Sequence, residues 1–428
     1  MLWILFLALC GLLTHTRADP GALLRLGMDV MNHEVQSAMD ESHILEKMAA
    51  DAGMKPIKGI TNVKVKDVQL PVITLNFIPG VGIFQCVSTG MTITGKSFMG
   101  GNMEIIVVLN ITATNRLLQD EETGLPMFKS EGCEIILVSV KTNLPSNMLP
   151  KVVNKFLDST LHKVLPSMMC PAIDAVLVYV NKKWANLNAP MPVGQMGSVK
   201  YVLMSIPTTT ASYIQVDFSP VVQQQEGNTI QLADDGEVFE FPEDYAEGSS
   251  QLLLSATFLT AELALLQKSL DVYVQDTKIG QLPPQTTKTL AAFIPKVAKA
   301  YPKPKPLMTQ IRINKPPKVT MKTGNSHLHL HGTLEMFAAR RRGKASVSLF
   351  LLETHFNLKI QYSVHENRLQ MEKKLTDFIT DYLREAYVPV VNDVLQVGFP
   401  LPDFLDMDYN LAELDLVENA LVLKLKLN

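Results

Sequence analysis

The sequence predicts an α+β protein of two domains, each built from a twisted antiparallel sheet that packs on a long helix. The chain has 428 residues, more than one hydrophobic core usually spans, so two domains of about 200 residues each are expected. Two long stretches, 149–188 and 369–397, carry apolar residues at the three-and-four spacing of a helix. Short runs with a period of two, separated by glycine and proline turns, precede both stretches and indicate antiparallel strands.

The first 18 residues are typical of a secretory signal peptide, because an apolar run at 2–13 ends in small residues suited to cleavage after Ala18. The run is too short to span a bilayer comfortably. Residues 20–50 then predict an amphipathic helix, and residues 60–140 predict a meander of short strands. The mature protein is therefore expected to be soluble and to fold in an oxidising lumen.

The stretch 149–188 is predicted to be one long, kinked helix. Its apolar residues recur every third or fourth position from Val152 to Val180. Pro166 and Pro171 fall inside the pattern, and each must remove a backbone hydrogen bond and bend the helix. Consecutive apolar residues at 176–180 widen the apolar face, so this end should be buried from more than one side.

The second half follows the same plan after a crossing segment. Residues 196–225 alternate between apolar and polar with little charge, which predicts an extended crossing strand and linker between the domains. A helix is predicted at 251–267, a further helical segment at 286–300, and strands between 307 and 364. The stretch 369–397 closes the second half as the counterpart of the first long helix.

Three cysteines remain after removal of the signal peptide, an odd number. Cys133 opens a strand-like run and Cys170 lies at the predicted kink, so a disulfide bond between them would attach the sheet to the helix. Closing such a loop stabilises a fold by roughly 3 to 4 kcal/mol in the chain-entropy model. Cys86 lies within an alternating run and is expected to be a buried free thiol.

The composition and the motifs of the chain argue against nucleic-acid binding and against catalysis. The formal net charge is -3, which provides no basic field for nucleic acid. The 21 methionines supply soft side chains that adapt to irregular apolar spaces. Asn110 heads the N-glycosylation sequon Asn110-Ile111-Thr112 and is the predicted glycan site. No motif of nucleophilic or acid–base catalysis is found, so we expect neither enzymatic activity nor a cofactor.

Residues 90–97, GMTITGKS, match the phosphate-loop pattern letter for letter. A phosphate loop must lead into the amino end of a helix, whose free N–H groups then face the phosphates. Here the residues between the glycines are strand formers, and residues 103–109 continue as a strand. The match therefore predicts a strand and not a nucleotide site.

Three histidines, His327, His329 and His331, alternate with leucines. Three imidazoles on one strand face could bind a metal. The alternation is equally typical of a polar strand face whose leucines turn to the core. We favour this second interpretation and expect no metal.

A basic cluster, Arg340, Arg341, Arg342 and Lys344, lies on a predicted turn of the second half. Two interpretations stay open for it. One is a solvated hairpin tip, and the other is peripheral contact with the phosphate head groups of a membrane.

Several of these features together resemble the bactericidal/permeability-increasing (BPI) fold family, and within it the long PLUNC-type members of subgroup B. They are the cysteine pair, the kinked helix, the crossing strand and the terminal motif Gly398-Phe399-Pro400-Leu401-Pro402 with an alternating strand after it. The resemblance implies a boomerang of two barrels, at 19–195 and 226–428, joined by a central sheet. It also implies an apolar pocket for lipid acyl chains in each half. One departure is the acidic segment 118–123, where the bactericidal member is cationic.

The resemblance and the wide apolar helix faces predict a lipid-binding protein of the secretory pathway, secreted or retained in the lumen, whose partners are phospholipid-like molecules. The competing interpretation is an interaction or innate-defence protein with collapsed pockets that binds partners or microbial surfaces, since periodicity does not distinguish a core from a tunnel wall. The predicted lipid contacts are Leu26, Met31, Val176, Leu177, Val180 and Tyr201 in the first half, and Leu259, Leu263, Phe378, Tyr382, Val390 and Val394 in the second.

Overall fold

A computed structural model of the chain describes residues 21–44, 47, 60–97, 101–143, 151–233, 241–242, 248–275, 284–292, 294–338, 346–373, 385–403, 405 and 407–425. The predicted signal peptide, 1–18, lies outside these residues. Within them the fold consists of three antiparallel sheets and the helices that pack on them. One sheet takes strands from both halves of the chain, and each of the other two belongs to one half. The predicted α+β class is confirmed.

Both halves begin with a buried strand that leads directly into a helix. The first half contains β1 (Ala22–Leu26), α1 (Met28–Ser42), β2 (Ile60–Val68), β3 (Val72–Ile78), β4 (Gly82–Ser97), β5 (Asn102–Gln119), β6 (Pro126–Thr142), α2 (Lys151–Trp184), a 3-10 helix (Ala185–Asn188), β7 (Met191–Val193), β8 (Gly197–Leu203), β9 (Thr208–Thr209), β10 (Ile214–Gln224) and β11 (Thr229–Ile230). The second half contains β12 (Ser250–Ser255), α3 (Ala256–Leu265), a 3-10 helix (Gln267–Leu270), β13 (Val272–Val274), α4 (Thr287–Ala291), α5 (Pro295–Ala300), β14 (Leu307–Ile313), β15 (Lys318–Lys322), β16 (Asn325–Ala338), β17 (Val347–His365), β18 (Arg368–Lys373), α6 (Val388–Leu395), β19 (Phe399–Pro400), β20 (Glu413–Val417) and β21 (Ala420–Leu425).

The central sheet joins the two halves. Its strand order is β20-β21-β12-β1-β10-β8-β7, and β9 and β11 also pair with β10. In its middle, Leu24 of β1 lies opposite Val216 of β10 on one side and Leu252 of β12 on the other. All three side chains are fully buried. Strands from the start, the middle and the end of the chain therefore share one continuous core.

The first outer sheet has the order β2-β4-β5-β6, with β3 paired to β4. Along β5 every second residue from Ile105 to Ile111 is buried, as expected for a strand with one face toward a core. The predicted disulfide between Cys133 of β6 and Cys170 of α2 is present. In addition, the side-chain amide of Asn181 donates to the backbone carbonyl of Phe128 and accepts from its N–H, at 2.9 and 2.8 Å. The long helix is thus attached to β6 at two levels.

The second outer sheet has the order β13-β14-β16-β17-β18-β19, with β15 paired to β16. Leu328 and Leu330 of β16 are fully buried, so the histidines between and beside them lie on the outer face. The predicted alternation of this strand is confirmed. On the inner side, α3 packs beside β15 and α6 beside β18.

The structure corrects the type of several predicted elements. The predicted helices at 20–50 and 251–267 begin as the strands β1 and β12, because short leucine runs that are buried on both faces fit a strand and a helix equally well. Residues 369–373, predicted to open the second long helix, pair with β17 as β18. The crossing strand predicted at 196–225 is instead a pair of strands, β8 and β10, which are hydrogen-bonded to each other.

The long helix α2 also has the length and composition of a membrane-spanning helix, since Ser159–Leu187 contains an 18-residue window apolar enough to cross a bilayer. A core helix of a soluble protein has the same properties. Here Trp184 is fully buried, and the disulfide and Asn181 attach the helix to β6. Pro166 and Pro171 lie inside one continuous helix, and the bend that they predict stays a prediction.

Candidate functional site

An apolar groove in the first half is the candidate functional site. It lies between α1, α2 and the first outer sheet, and twelve of its fourteen lining residues are apolar. About 510 Å³ of space free of protein atoms lies within it, part of it open to solvent. The lining consists of Val35, Met39, Ile44, Val68, Pro71, Ile73, Gln85, Val87, Thr89, Ile111, Met169, Ala172, Ile173 and Val176.

The periods of the helices and strands bring these residues together. On α2, the lining residues between Met169 and Val176 follow the three-and-four spacing that places them on one helix face. On β4, Gln85, Val87 and Thr89 are two residues apart and therefore point to the same side of the sheet. The groove is consequently walled by two helices and floored by strands.

Two attachments hold α2 beside the groove. Cys170 follows Met169, a lining residue, in the sequence, so its disulfide bond with Cys133 attaches that turn of α2 to the sheet. Near the end of α2, Lys183 Nζ lies 3.0 Å from Glu34 Oε2 of α1. Glu34 is fully buried and the Lys183 side chain is 12% exposed, so removal of one partner would leave a poorly solvated charge. The ion pair therefore couples the two helices that wall the groove.

The polar groups of the lining are satisfied by the protein itself. Gln85 Oε1 accepts a hydrogen bond of 2.8 Å from Asn115 Nδ2. Thr89 Oγ1 donates to the backbone carbonyl of Gln69, also at 2.8 Å. None of the fourteen lining residues is charged. The groove thus offers apolar contact and suits hydrocarbon better than a charged or strongly polar ligand.

Of the lipid contacts predicted in the first half, Val176 lines the groove. The other five, Leu26, Met31, Leu177, Val180 and Tyr201, are buried but lie outside this lining. Tyr201 instead joins the halves, because its hydroxyl donates to the backbone carbonyl of Pro400 at 3.1 Å and its ring packs edge-on against Phe218 and Phe258. Contact of these five side chains with a lipid stays a prediction.

The lipid contacts predicted in the second half are distributed over two helices. Leu259 and Leu263 on α3 are fully buried within the core. Val390 and Val394 on α6 are partly buried and pack against the same core. Phe378 and Tyr382 lie outside the described residues. A second pocket formed by these residues stays a prediction.

Sequence reasoning missed most of the groove lining. Only strands β3, β4 and β5, folded against the helix, bring Ile73, Val87 and Ile111 to it. A signal was present on the helix, since Met169 and Ile173 share the three-and-four series of Val176. That series identifies a helix face, but not the open space in front of it.

The phosphate-loop match lies within β4. Residues from Met91 to Lys96 pair with β5 on one side, and all of Met91–Ser97 except Gly95 pairs with β2 on the other. Both neighbours use the backbone groups of this segment, so it is a strand and not a loop that cradles phosphate. The prediction of a strand is confirmed.

The basic cluster, the possible metal site and the free cysteine are the other sites predicted from the sequence. The basic cluster Arg340, Arg341, Arg342 and Lys344 lies outside the described residues. Within the described residues, no group of three or more histidine, cysteine, aspartate or glutamate side chains is placed to hold a metal ion. Cys86 is a half-buried free thiol.

Asn110, the predicted glycan site, is partly exposed on β5. Its side-chain oxygen accepts a hydrogen bond of 2.6 Å from the Ser88 hydroxyl. Attachment of a glycan there stays a prediction.

A buried carboxyl group lies in the second half. Glu262 on α3 is 1% exposed, and neither of its oxygens has a hydrogen-bond partner among the described residues. Burial raises the pKa of Glu262 well above its ordinary value, and the positive charge of Arg368 offsets part of that rise. The neutral acid is therefore favoured, and this group bears on stability and not on the groove of the first half.

Comparison with known proteins gives a consistent result over both halves. Residues 22–180 match the model of the LBP / BPI / CETP family N-terminal domain, and residues 194–378 match the model of its C-terminal domain. The chain is 78% identical to human BPI fold-containing family B member 6 and 70% identical to the Mus musculus protein of that name, over 100% of each chain. The crystal structure of lipopolysaccharide binding protein has the same fold, with a TM-score of 0.62 and 18% identity over 96% of this chain and 100% of that one.

Proposed function

The chain belongs to the LBP/BPI/CETP family, and from this premise we propose that it is a lipid-binding protein without enzymatic activity. Its ligand is a phospholipid-like molecule, and an acyl chain of that ligand lies in the groove between α1, α2 and the first outer sheet. The predicted membership of subgroup B agrees with the family B relatives.

The apolar lining of the groove is the observation that carries this proposal. Twelve apolar residues surround the space, and both polar lining residues have protein partners for their side chains. Each methylene group that leaves water for such a groove contributes about 0.8 kcal/mol before ordering costs. An acyl chain of about fifteen methylene groups would contribute about 12 kcal/mol before the association cost of about 4 kcal/mol or more, so binding without a charged contact requires a long chain.

The protein carries out this function in the secretory pathway. The disulfide between Cys133 and Cys170 supports that assignment, because disulfides persist in oxidising compartments and are rare in the cytosol. The membranes that enclose an oxidising lumen would supply the lipid. The proposal covers a protein that leaves the cell and one that stays in the lumen.

One observation favours the competing interpretation for the second half. Leu259 and Leu263 are fully buried and belong to the continuous core, so they contact other side chains and not an open space. If that half holds no lipid, its surface is left to bind a partner. In this alternative, the first half binds lipid in its groove and the second half has no open pocket.

Lipid recovery tests the proposal. The full chain is expressed in animal cells, purified without detergent, and weighed by native mass spectrometry before and after extraction with organic solvent. We expect one bound lipid for the groove, and a second if the second half also binds. Absence of lipid, together with no uptake from vesicles of phosphatidylcholine and phosphatidylserine, would overturn the proposal.

A further inference from the structure

Four histidines lie together on the outer face of the second outer sheet. His331 of β16 lies directly opposite His355 of β17, and their Nδ1 atoms are 2.6 Å apart. His327 and His329 are on the same face of β16, because residues two apart in a strand point to the same side. We call these four residues the histidine face. It is on the opposite side of the sheet from the core.

Fixed charges on the neighbouring strands border the histidine face. Five cations and three carboxylates on these strands point to this side of the sheet, which leaves a net charge of +2 before any imidazole is protonated. The cations are Arg312 of β14, Lys318 and Lys322 of β15, Lys359 of β17 and Arg368 of β18, and the carboxylates are Glu335 of β16, Glu353 of β17 and Glu372 of β18. His365, opposite Arg368, is on the same side at the far end of β17.

The charge of this surface therefore depends on pH. A histidine ordinarily gains its proton between about pH 8 and pH 5. The pKa of His329 is lowered from its ordinary value, first by burial and then by His327, His331 and Lys318. Since neighbouring positive charges oppose each further proton, the surface gains charge progressively as the pH falls.

We propose that the histidine face binds the anionic surface of phospholipid membranes, and that it does so as the pH falls below neutral. A strand face is flat and presents its side chains in rows about 5 Å apart, which suits an array of phosphate and carboxylate head groups. Leu351 lies on the same face of β17 as Glu353 and is 59% exposed, so it can contact the acyl boundary of the membrane.

A membrane fits this surface better than a metal ion does. A structural or catalytic metal site needs three or four protein ligands, and within the described part of the chain no such group of His, Cys, Asp and Glu is assembled. The surface is also separate from the groove, which is formed by α1, α2 and the first outer sheet. Membrane binding and lipid binding can thus succeed or fail independently.

Vesicle co-sedimentation tests the proposal. The full chain is mixed with vesicles of phosphatidylserine and phosphatidylcholine at about pH 7.4 and about pH 5.5, with EDTA present. We expect binding to increase on the order of tenfold or more at the lower pH, and to weaken with added salt. Vesicles of phosphatidylcholine alone should show no such increase.

Substitution of all four histidines by glutamine should abolish the increase and preserve the weak binding at neutral pH. If that variant unfolds, the His331→Gln/His355→Gln double variant should lose part of the increase. His33→Gln, an exposed histidine on α1, is the matched control and should behave like the unaltered protein. An increase that persists in the folded quadruple variant, or that appears on phosphatidylcholine alone or only without EDTA, would overturn the proposal.

Discussion

Replacement of Val176 by phenylalanine should block the lipid groove while the fold is retained. Val176 lies on the wall that α2 contributes, and the phenylalanine side chain has about four more carbon atoms than valine, which would occupy space that the ligand otherwise fills. If each displaced methylene group contributed about 0.8 kcal/mol, the loss is about 3 kcal/mol. Affinity should then fall on the order of a hundredfold.

Uptake of a fluorescent phosphatidylcholine from vesicles measures this effect, and thermal unfolding monitors the fold. Val178→Phe is the matched control, because Val178 is on the same helix and is 51% exposed, outside the groove lining. Val180→Phe is unsuitable, since Val180 is fully buried and overpacking costs about 1 to 3 kcal/mol of stability. Equal uptake by the Val176 and Val178 variants, both folded, would refute the placement of the ligand in this groove.

Three further predictions concern stability. Replacing Cys133 and Cys170 by alanine should lower the free energy of unfolding by about 4 kcal/mol, because the bridge closes a loop of 37 residues; an unchanged midpoint in guanidinium titration would contradict this. Lys183→Met should cost about 3 to 5 kcal/mol by leaving Glu34 buried without its cation, and Glu34→Gln in the same chain should restore part of that loss. Because the pKa of Glu262 is raised in the folded state, stability should fall as the pH rises above about 4.3, by at most about 1.4 kcal/mol per pH unit. Glu262→Gln should flatten that slope in urea titrations at several pH values, and an identical slope would show that Glu262 does not titrate in this way.

Features that depend on local chemistry were predictable. The long helix α2 has a clear three-and-four period over many turns, and the pairing of Cys133 with Cys170 was expected from their positions at a strand-like run and at the predicted kink. The strand containing residues 90–97 was also predictable, since strand formers separate the glycines of the apparent phosphate loop. For the helix and the strand, neighbours in the sequence decide the structure.

Elements in the central sheet were less predictable. β1 and β12 are leucine runs buried on both faces, so neither shows the alternation that distinguishes a strand from a helix. Only their pairing with each other, of β1 with β10 and of β12 with β21, makes them strands. A strand that obtains its burial from distant parts of the chain has little local signal.

The sequence by itself determined the α+β class, the disulfide, the alternation of the outer sheets and the resemblance to a lipid-binding family. Tertiary structure alone decided which apolar side chains line a groove and which fill the core. Val176 and Val180 have the same residue type and lie one helical turn apart, yet one lines the groove and the other is fully buried. The reason is that periodicity records which side of a helix avoids water, whereas open space depends on how closely the opposing strands and α1 approach that side.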